Sequence, residues 1–276
     1  MLVDGSNLLF QMFYGMPARI VGKNGKLIHG TLGFVGALLK IIKMTKPTRL
    51  VVLFDGEHHN ERKDVDEAYK ANRPDFSQMA EEEVPFSQLP DIYAALDFLK
   101  IAHTETTVCE TDDVIAAYAV EYGKDMQVLI SSFDSDFFQL IQENVSVLRY
   151  RGEKTTICDE AFVKDKFGVT AKQYADFKSL VGDTADNIKG VPMIGMKRAA
   201  KLLSEFGSLG NILKNTEKIG QASVRNTLEN SMERISKNQA LIQLNGCAAL
   251  PFSIEELAFT YGGATTNEVL TAIGVK

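Results

Sequence analysis

Between Cys109 and Asp136 the chain sets five carboxylates, Glu110, Asp112, Asp113, Asp134 and Asp136, beside apolar sequence that reads as core. They fall in two segments, ETDDVIAAYAV and SSFDSDFFQLI, joined across a strand-like QVLI. A carboxylate removed from water without a partner is strongly destabilising. Neither segment carries a Lys, Arg or His to serve as that partner. By elimination, the sequence points to hard divalent cations, whose preferred ligands are carboxylate and water oxygens. Asp4 and Asp55, each at the end of an apolar run, and Asp183 and Asp186 further on extend the candidate set to nine. The expected centre is of the magnesium type.

Cations that could meet an anionic substrate occur in two other places. Residues 57–90 form a charged excursion with little apolar periodicity, and Arg62, Lys70 and Arg73 there suit a phosphate-handling site. Further on, Gly190 and Gly195 bracket a tight turn between two helical patterns, the second carrying Lys197, Arg198 and Lys201. A helix, glycine hairpin, helix unit over 171–206 holds a DNA backbone through helix-end N–H groups and cations, without reading bases. The formal charge of −6 fits nucleic acid poorly at first sight, but leaving out the nine candidate ligands puts the remainder at +3. His58 and His59 read as a solvated surface pair. The three scattered cysteines, Cys109, Cys158 and Cys247, read as small buried hydrophobes, not a disulfide or zinc set.

The elements that must position these groups are those of an α/β protein. LVD at the start, LVVLFD at 50–55 and the run at 128–130 are β-branched and aliphatic stretches bounded by turn residues, as buried parallel strands are. Each leads into an aspartate, so Asp4, Asp55 and Asp134 are expected along one sheet edge, the carboxyl edge where open α/β sheets bind ligands. Ser6 or Asn7 is expected to cap the first helix and Thr111 the helix that carries Asp112 and Asp113. Helical periodicity marks TLGFVGALLKIIKM, residues 91–100 and 171–181, a helix MKRAAKLLSEF ending at Gly207, and a further helix capped by Ser208. The expected boundary lies near residue 165, with 1–165 a largely parallel sheet flanked by helices and 166–276 helical. No apolar run approaches the roughly 18 residues that span a bilayer, and no signal-peptide pattern opens the chain; a cytoplasmic protein without membrane association is expected.

Six motifs in order, VDGSN at 3–7, FDG at 54–56, YKANRP at 69–74, ETDD at 110–113, DSD at 134–136 and GDTADNIKGVPMIGMKRAAKLL at 182–203, resemble the five-prime nuclease family. That family includes the N-terminal domain of bacterial DNA polymerase I, phage five-prime exonucleases and flap endonucleases. The resemblance implies a PIN-like core, a helical arch at 57–90 and a free-standing, monomeric enzyme of bacterial or phage type. It also implies two Mg2+ ions, with Mn2+ as substitute. Asp4, Asp55, Glu110 and Asp112 match the carboxylates around one ion, and Asp113, Asp134, Asp136, Asp183 and Asp186 those nearer the other. Lys70 and Arg73 match catalytic arch residues that reach the scissile phosphate, and Phe10 falls where an aromatic stacks on a base; Arg62 and Lys189 are further expected DNA contacts. The Val191 and Ile194 carbonyls match a K+ site in the helix-hairpin-helix. The chain departs from the pattern in the acidity of the arch, at Asp75, Glu81, Glu82 and Glu83.

The activity so implied is structure-specific cleavage of DNA that carries a five-prime flap or end, giving five-prime phosphate and three-prime hydroxyl products in replication and repair. The residues alone leave two other readings open. One is a DNA-junction binding module whose metals only neutralise phosphates. The other is a small-molecule phosphohydrolase, which the DSD motif by itself allows but which gives the glycine hairpin no role.

Overall fold

The computed structural model describes the chain except Asn24 and Cys247, and the side chains of the rest except Ser77 and Glu81. The expectations for Cys247 and for the Glu81 side chain therefore lie outside the described residues. The N-terminal part runs β1 (Leu2–Asp4), α1 (Gly5–Gly15), α2 (His29–Thr45), β2 (Val51–Asp55), a short α3 (Glu61–Val65), α4 (Leu89–Phe98), β3 (Ala102–Thr106), α5 (Thr111–Tyr122) and β4 (Val128–Ser131). It continues through β5 (Val145–Arg149), β6 (Thr156–Cys158) and α6 (Glu160–Phe167) into α7 (Tyr174–Val181), the ribbon β7 (Gly182–Asp183) and β8 (Ile188–Lys189), and α8 (Met196–Phe206). The chain closes with α9 (Leu209–Lys214), α10 (Ala222–Glu229), α11 (Met232–Ile242) and α12 (Thr266–Ala272).

Six strands form one sheet in the order β3-β2-β1-β4-β5-β6, parallel except for β6, which runs antiparallel to β5. Parallel strands are covered on both faces, and the residues alternate accordingly. Val51 and Leu53 of β2 point into a core shared with α5 and the C-terminal helices, while Val52 and Phe54 point into a second core under α1, α2 and α4. The first of these cores runs without a break from the sheet into Tyr174, Phe177, Leu180, Leu202 and Leu203, so α7 and α8 pack as part of the molecule that carries the sheet. α1 lies close over β2: a Cβ at Gly5 would stand 2.6 Å from the Phe54 ring. That approach fixes where the end of β1 presents Asp4.

Three local features differ from the sequence reading. β3, with the sequence AHTET, is an edge strand whose half-exposed polar residues give no apolar run; it is held by five register pairs to β2. α1 is capped by Asp4, whose carboxylate accepts from the Asn7 N–H at 2.9 Å, not by Ser6 or Asn7. At α5 the N-cap residue is Glu110 and Thr111 is already helical; the Thr111 N–H donates to Asp55 Oδ1 at 3.1 Å. In both cases a carboxylate at a strand end takes the capping role, since its oxygen reaches the orphan N–H groups of a neighbouring helix. The Ser208 cap is as expected, on Asn211.

Candidate metal centre and nucleic-acid interface

At the carboxyl edge of the sheet, Asp4, Asp55, Glu110, Asp112 and Asp134 line one cavity of about 710 Å3, together with Lys70, Arg73 and Phe10. The register brings them there. Asp4 pairs with Leu53 across β1 and β2, Val3 pairs with Ser131 of β4, and each chain then turns toward the same end. Ser132 locks two of them, donating to Asp4 Oδ2 at 2.8 Å and accepting from the Asp134 N–H at 3.0 Å. Burial and the neighbouring Asp55 push the Asp4 carboxyl up to about 7. Burial and Asp134 likewise raise Asp112 well above the ordinary carboxylate range. These carboxyls repel one another in a confined space and would release their protons to a cation.

A second group lies beside the first. One oxygen each of Asp136, Asp183 and Asp186 falls within 4.8 Å of the others, at the C-terminal end of α7 and the β7–β8 ribbon. The two groups touch through the DSD loop, where the Asp136 N–H donates to Asp134 Oδ1 at 2.8 Å. Burial lifts Asp136 to about 7 against the pull of Lys178. Asp183 is also pushed up by burial, but the Lys178 ammonium and backbone N–H groups outweigh this and hold it below its ordinary value. Asp186 is raised by burial, with Lys70 and Arg73 opposing.

The ninth candidate faces elsewhere. Asp113 lines a neighbouring cavity of about 670 Å3 with Cys109 and His58, and both of its oxygens receive the Arg62 guanidinium, at 2.8 and 2.9 Å. Arg62 also donates to Glu110 at 2.7 Å and to the carbonyls of Leu241 and Gln243 at 2.9 and 3.2 Å. It is an internal strut; its side chain is only 11% exposed. Lys70 donates to Glu110 at 2.8 Å and Arg73 to Asp186 at 2.9 Å.

The lack of a cation within the two acidic segments does not leave Glu110, Asp113 and Asp136 without one. Protein cations do reach the carboxylates, from the 57–90 excursion and from α7, both outside those two segments. What remains without an ionic partner, among the described residues, is Asp4, Asp55, Asp112 and Asp134. Their donor set is all carboxylate oxygen, with no thiol or imidazole, and fits a hard divalent ion.

Several participants were not singled out from sequence. Lys178 is buried and bonds both Asp136 and Asp183. A lysine on the buried face of α7, beside Phe177 and Ser179, was a signal to be read. Tyr69 donates to Glu110 at 3.2 Å and Asn60 to the same carboxylate at 3.0 Å. His58 corrects the solvated-pair reading, being half-buried with Nδ1 on the Gly56 carbonyl, while His59 is exposed beside Asp64. Phe10 stands at the cavity wall with its ring edge-on to Phe86 and Phe76, at 5.3 and 5.8 Å between centroids. Residues 57–90 contain α3 and three single-turn 3-10 segments.

The glycine hairpin is built on a close backbone crossing. A Cβ at Gly190 would lie 2.1 Å from the Val181 carbonyl oxygen, and Gly182 opposite has φ +83°. Val191 and Ile194 bury their side chains, and the Val191 carbonyl accepts from the Ile194 N–H at 3.0 Å. Gly195 is the N-cap of α8, whose Ala199, Leu202 and Leu203 are buried while Lys197 and Lys201 stand exposed. Arg198 donates to the Met193 carbonyl, and Lys189 is exposed on β8.

Two family profiles cover this architecture: "5'-3' exonuclease, N-terminal resolvase-like domain" matches residues 1–168, and "5'-3' exonuclease, C-terminal SAM fold" matches 169–263. The chain belongs to the 5'-3' exonuclease family. Among its relatives is thermostable DNA polymerase I of Thermus filiformis, 34% identical over 256 residues, which are 92% of this chain and 29% of that protein. DNA polymerase I of Bacillus subtilis is 30% identical over 274 residues, 98% of this chain and 30% of the relative. The chain thus spans under a third of these polymerases.

Among solved structures, a T5 protein co-crystallised with metal ions superposes with a TM-score of 0.72 at 25% identity, covering 89% of each chain. The catalytic core of Rad2 in complex with DNA substrate shares the fold at TM-score 0.61 and 16% identity, covering 99% of this chain and 92% of that one. The fold is a mainly parallel, PIN-like sheet flanked by helices with a C-terminal helical region of helix-hairpin-helix type. No described helix is long and apolar enough to cross a membrane.

Proposed function

We propose that the chain is a structure-specific five-prime nuclease that hydrolyses phosphodiesters in nicked or branched double-stranded DNA bearing a five-prime flap or end. The observation that carries this reading is the convergence of eight carboxylates, from separate strand ends, a helix start and the α7 ribbon, onto one sheet edge beside Lys70 and Arg73. Asp4, Asp55, Glu110, Asp112 and Asp134 would hold one divalent ion and Asp136, Asp183 and Asp186 a second. Mg2+ is the expected species and Mn2+ a substitute. When bound, such ions activate water and stabilise the leaving oxygen of an in-line displacement, leaving a five-prime phosphate and a three-prime hydroxyl.

The chain's own residues do the rest. Lys70 and Arg73 line the cavity and present cationic groups to the phosphate, adding charge stabilisation where it develops. Ser132 fixes Asp4 and Asp134 in place. Phe10 offers an aromatic face to an unpaired terminal base, worth about 1–3 kcal/mol of stacking. The α8 N-terminus, with Gly190, Gly195, Lys189, Lys197, Arg198 and Lys201, engages duplex phosphates, and the Val191 and Ile194 carbonyls are the proposed K+ ligands. We place this activity in the cytoplasm, on a monomer, in DNA replication and repair. Asp113 and Arg62 are assigned to the internal ion pair.

The test is an end-labelled five-prime flap substrate incubated with Mg2+ or with Ca2+. Cleavage in Mg2+ and intact bound DNA in Ca2+ are expected, because the larger ion aligns reactants poorly. Asp134→Asn should abolish cleavage while junction binding stays measurable. Bound and uncut DNA with either ion would instead identify a junction-binding protein.

A further inference from the structure

We infer that the Lys178 ammonium is a built-in cation of the second carboxylate group, so that a divalent ion enters there only by displacing it and binds more weakly than at the first group. The inference rests on the nuclease reading and makes the two positions unequal.

Lys178 comes from the middle of α7, and its side chain is 6% exposed. Its Nζ donates to Asp136 Oδ1 and to Asp183 Oδ2, two of the three carboxylates whose oxygens converge within 4.8 Å. The third, Asp186, is paired with Arg73. Three negative charges thus face two protein cations. In the first group the balance is different: Lys70 and Arg62 both serve Glu110, while Asp4, Asp55, Asp112 and Asp134 form no ion pair among the described residues. A divalent ion arriving at the first group meets Asp4, Asp55 and Asp134 held by neutral donors only. At the second it must take oxygens already held by a charged donor.

Lys178 cannot step aside cheaply. The ammonium is buried and would have to find other acceptors or reach water past the residues packed around α7. Two carboxylates holding one ammonium at this depth form charge-assisted bonds, stronger than neutral ones. Competition for the same oxygen atoms therefore lowers the affinity for the second ion without altering the first. Lys178 is in this sense a positioning residue that sets the relative affinity of the two positions.

The test is Mn2+ binding to the full chain, followed by electron paramagnetic resonance of free Mn2+ and by calorimetry. The wild type should bind one ion tightly and a second about tenfold or more weakly, the scale of losing hydrogen bonds to a charged group. Lys178→Met, neutral and of similar length, should bring the second affinity up toward the first while leaving the first unchanged, and Lys178→Arg should keep the wild-type inequality. Thermal melts establish that each variant is folded. Two equally tight ions in the wild type would overturn the inference without any variant, as would an unchanged or weaker second site in a folded Lys178→Met. Absence of any divalent binding by the wild type would instead remove the nuclease reading itself.

Discussion

Arg62→Ala should cost the protein stability before it costs any function at DNA. The guanidinium makes five hydrogen bonds, to Glu110, to both oxygens of Asp113 and to the Leu241 and Gln243 carbonyls. The three ionic side chains are 7–11% exposed, so removing the cation leaves charge that water solvates poorly. Breaking a buried pair by deleting one partner costs about 3–5 kcal/mol. Lys70 still neutralises Glu110 at 2.8 Å and the Asn245 N–H still donates to Asp113 at 2.7 Å, which argues for the lower end. About 3 kcal/mol corresponds to a fall in Tm of roughly 6–12 °C for a chain of this size.

Urea titration and thermal melting of the metal-free protein measure this directly. A double-mutant cycle with Asp113→Asn should recover at least about 1 kcal/mol, because the second change removes the stranded charge. If Arg62→Ala were to melt within a degree of wild type while binding flap DNA markedly less well, the strut assignment would fail and Arg62 would be a substrate contact.

Other outcomes follow from the same geometry. Because Asp4 and Asp136 are raised to about 7 and their unfolded value is near 3.8, the folded metal-free protein holds more protons than the unfolded chain between these limits. Its Tm should fall as pH rises from about 4.5 to 6, above the range in which the lowered Glu110 and Asp183 titrate; burial lowers His29 and brings the α-amino group down to about 6, and these oppose the fall, the amino group up to about pH 8. Divalent affinity measured by calorimetry should rise over the same window with release of protons. A Tm that climbs steadily across it would contradict the burial argument. Gly190→Ala sets a Cβ against the Val181 carbonyl and should destabilise by on the order of 3 kcal/mol in a denaturant titration. Lys197→Glu with Lys201→Glu should weaken duplex affinity and flatten its salt dependence, leaving the Tm within about 1–2 °C, since both side chains are exposed.

The parts of this molecule that sequence made visible are those that bury apolar side chains with a regular period. The runs ending in Asp4, Asp55 and before Asp134 could only be interior parallel strands, and their aspartates had then to share an edge. β3 stayed hidden because an edge strand covered on one side need not be apolar, and AHTET carries no alternation strong enough to mark it. The helix caps were misplaced for a related reason: an aspartate and a serine within two residues both satisfy the pattern, and only the sheet decides which side chain faces the helix end. Lys178 was passed over since the lysine and its two carboxylates lie 42 and 5 residues apart, and a buried cation is identified by what surrounds it. Arg62 was seen as a cation near phosphate chemistry. Its burial depended on Leu241 and Gln243, nearly 180 residues away.

The carboxylate edge is assembled from both ends of the chain. Asp183, Asp186 and Lys178 lie in the stretch that the second profile covers, and the strut from the first stretch is anchored on carbonyls of residues 241 and 243. A ribosome that has delivered only the sheet has made Asp4, Asp55, Glu110, Asp112, Asp134 and Asp136, but not Lys178, Asp183 or Asp186. Closure of that edge therefore waits until α7, the β7–β8 ribbon and α11 have been made.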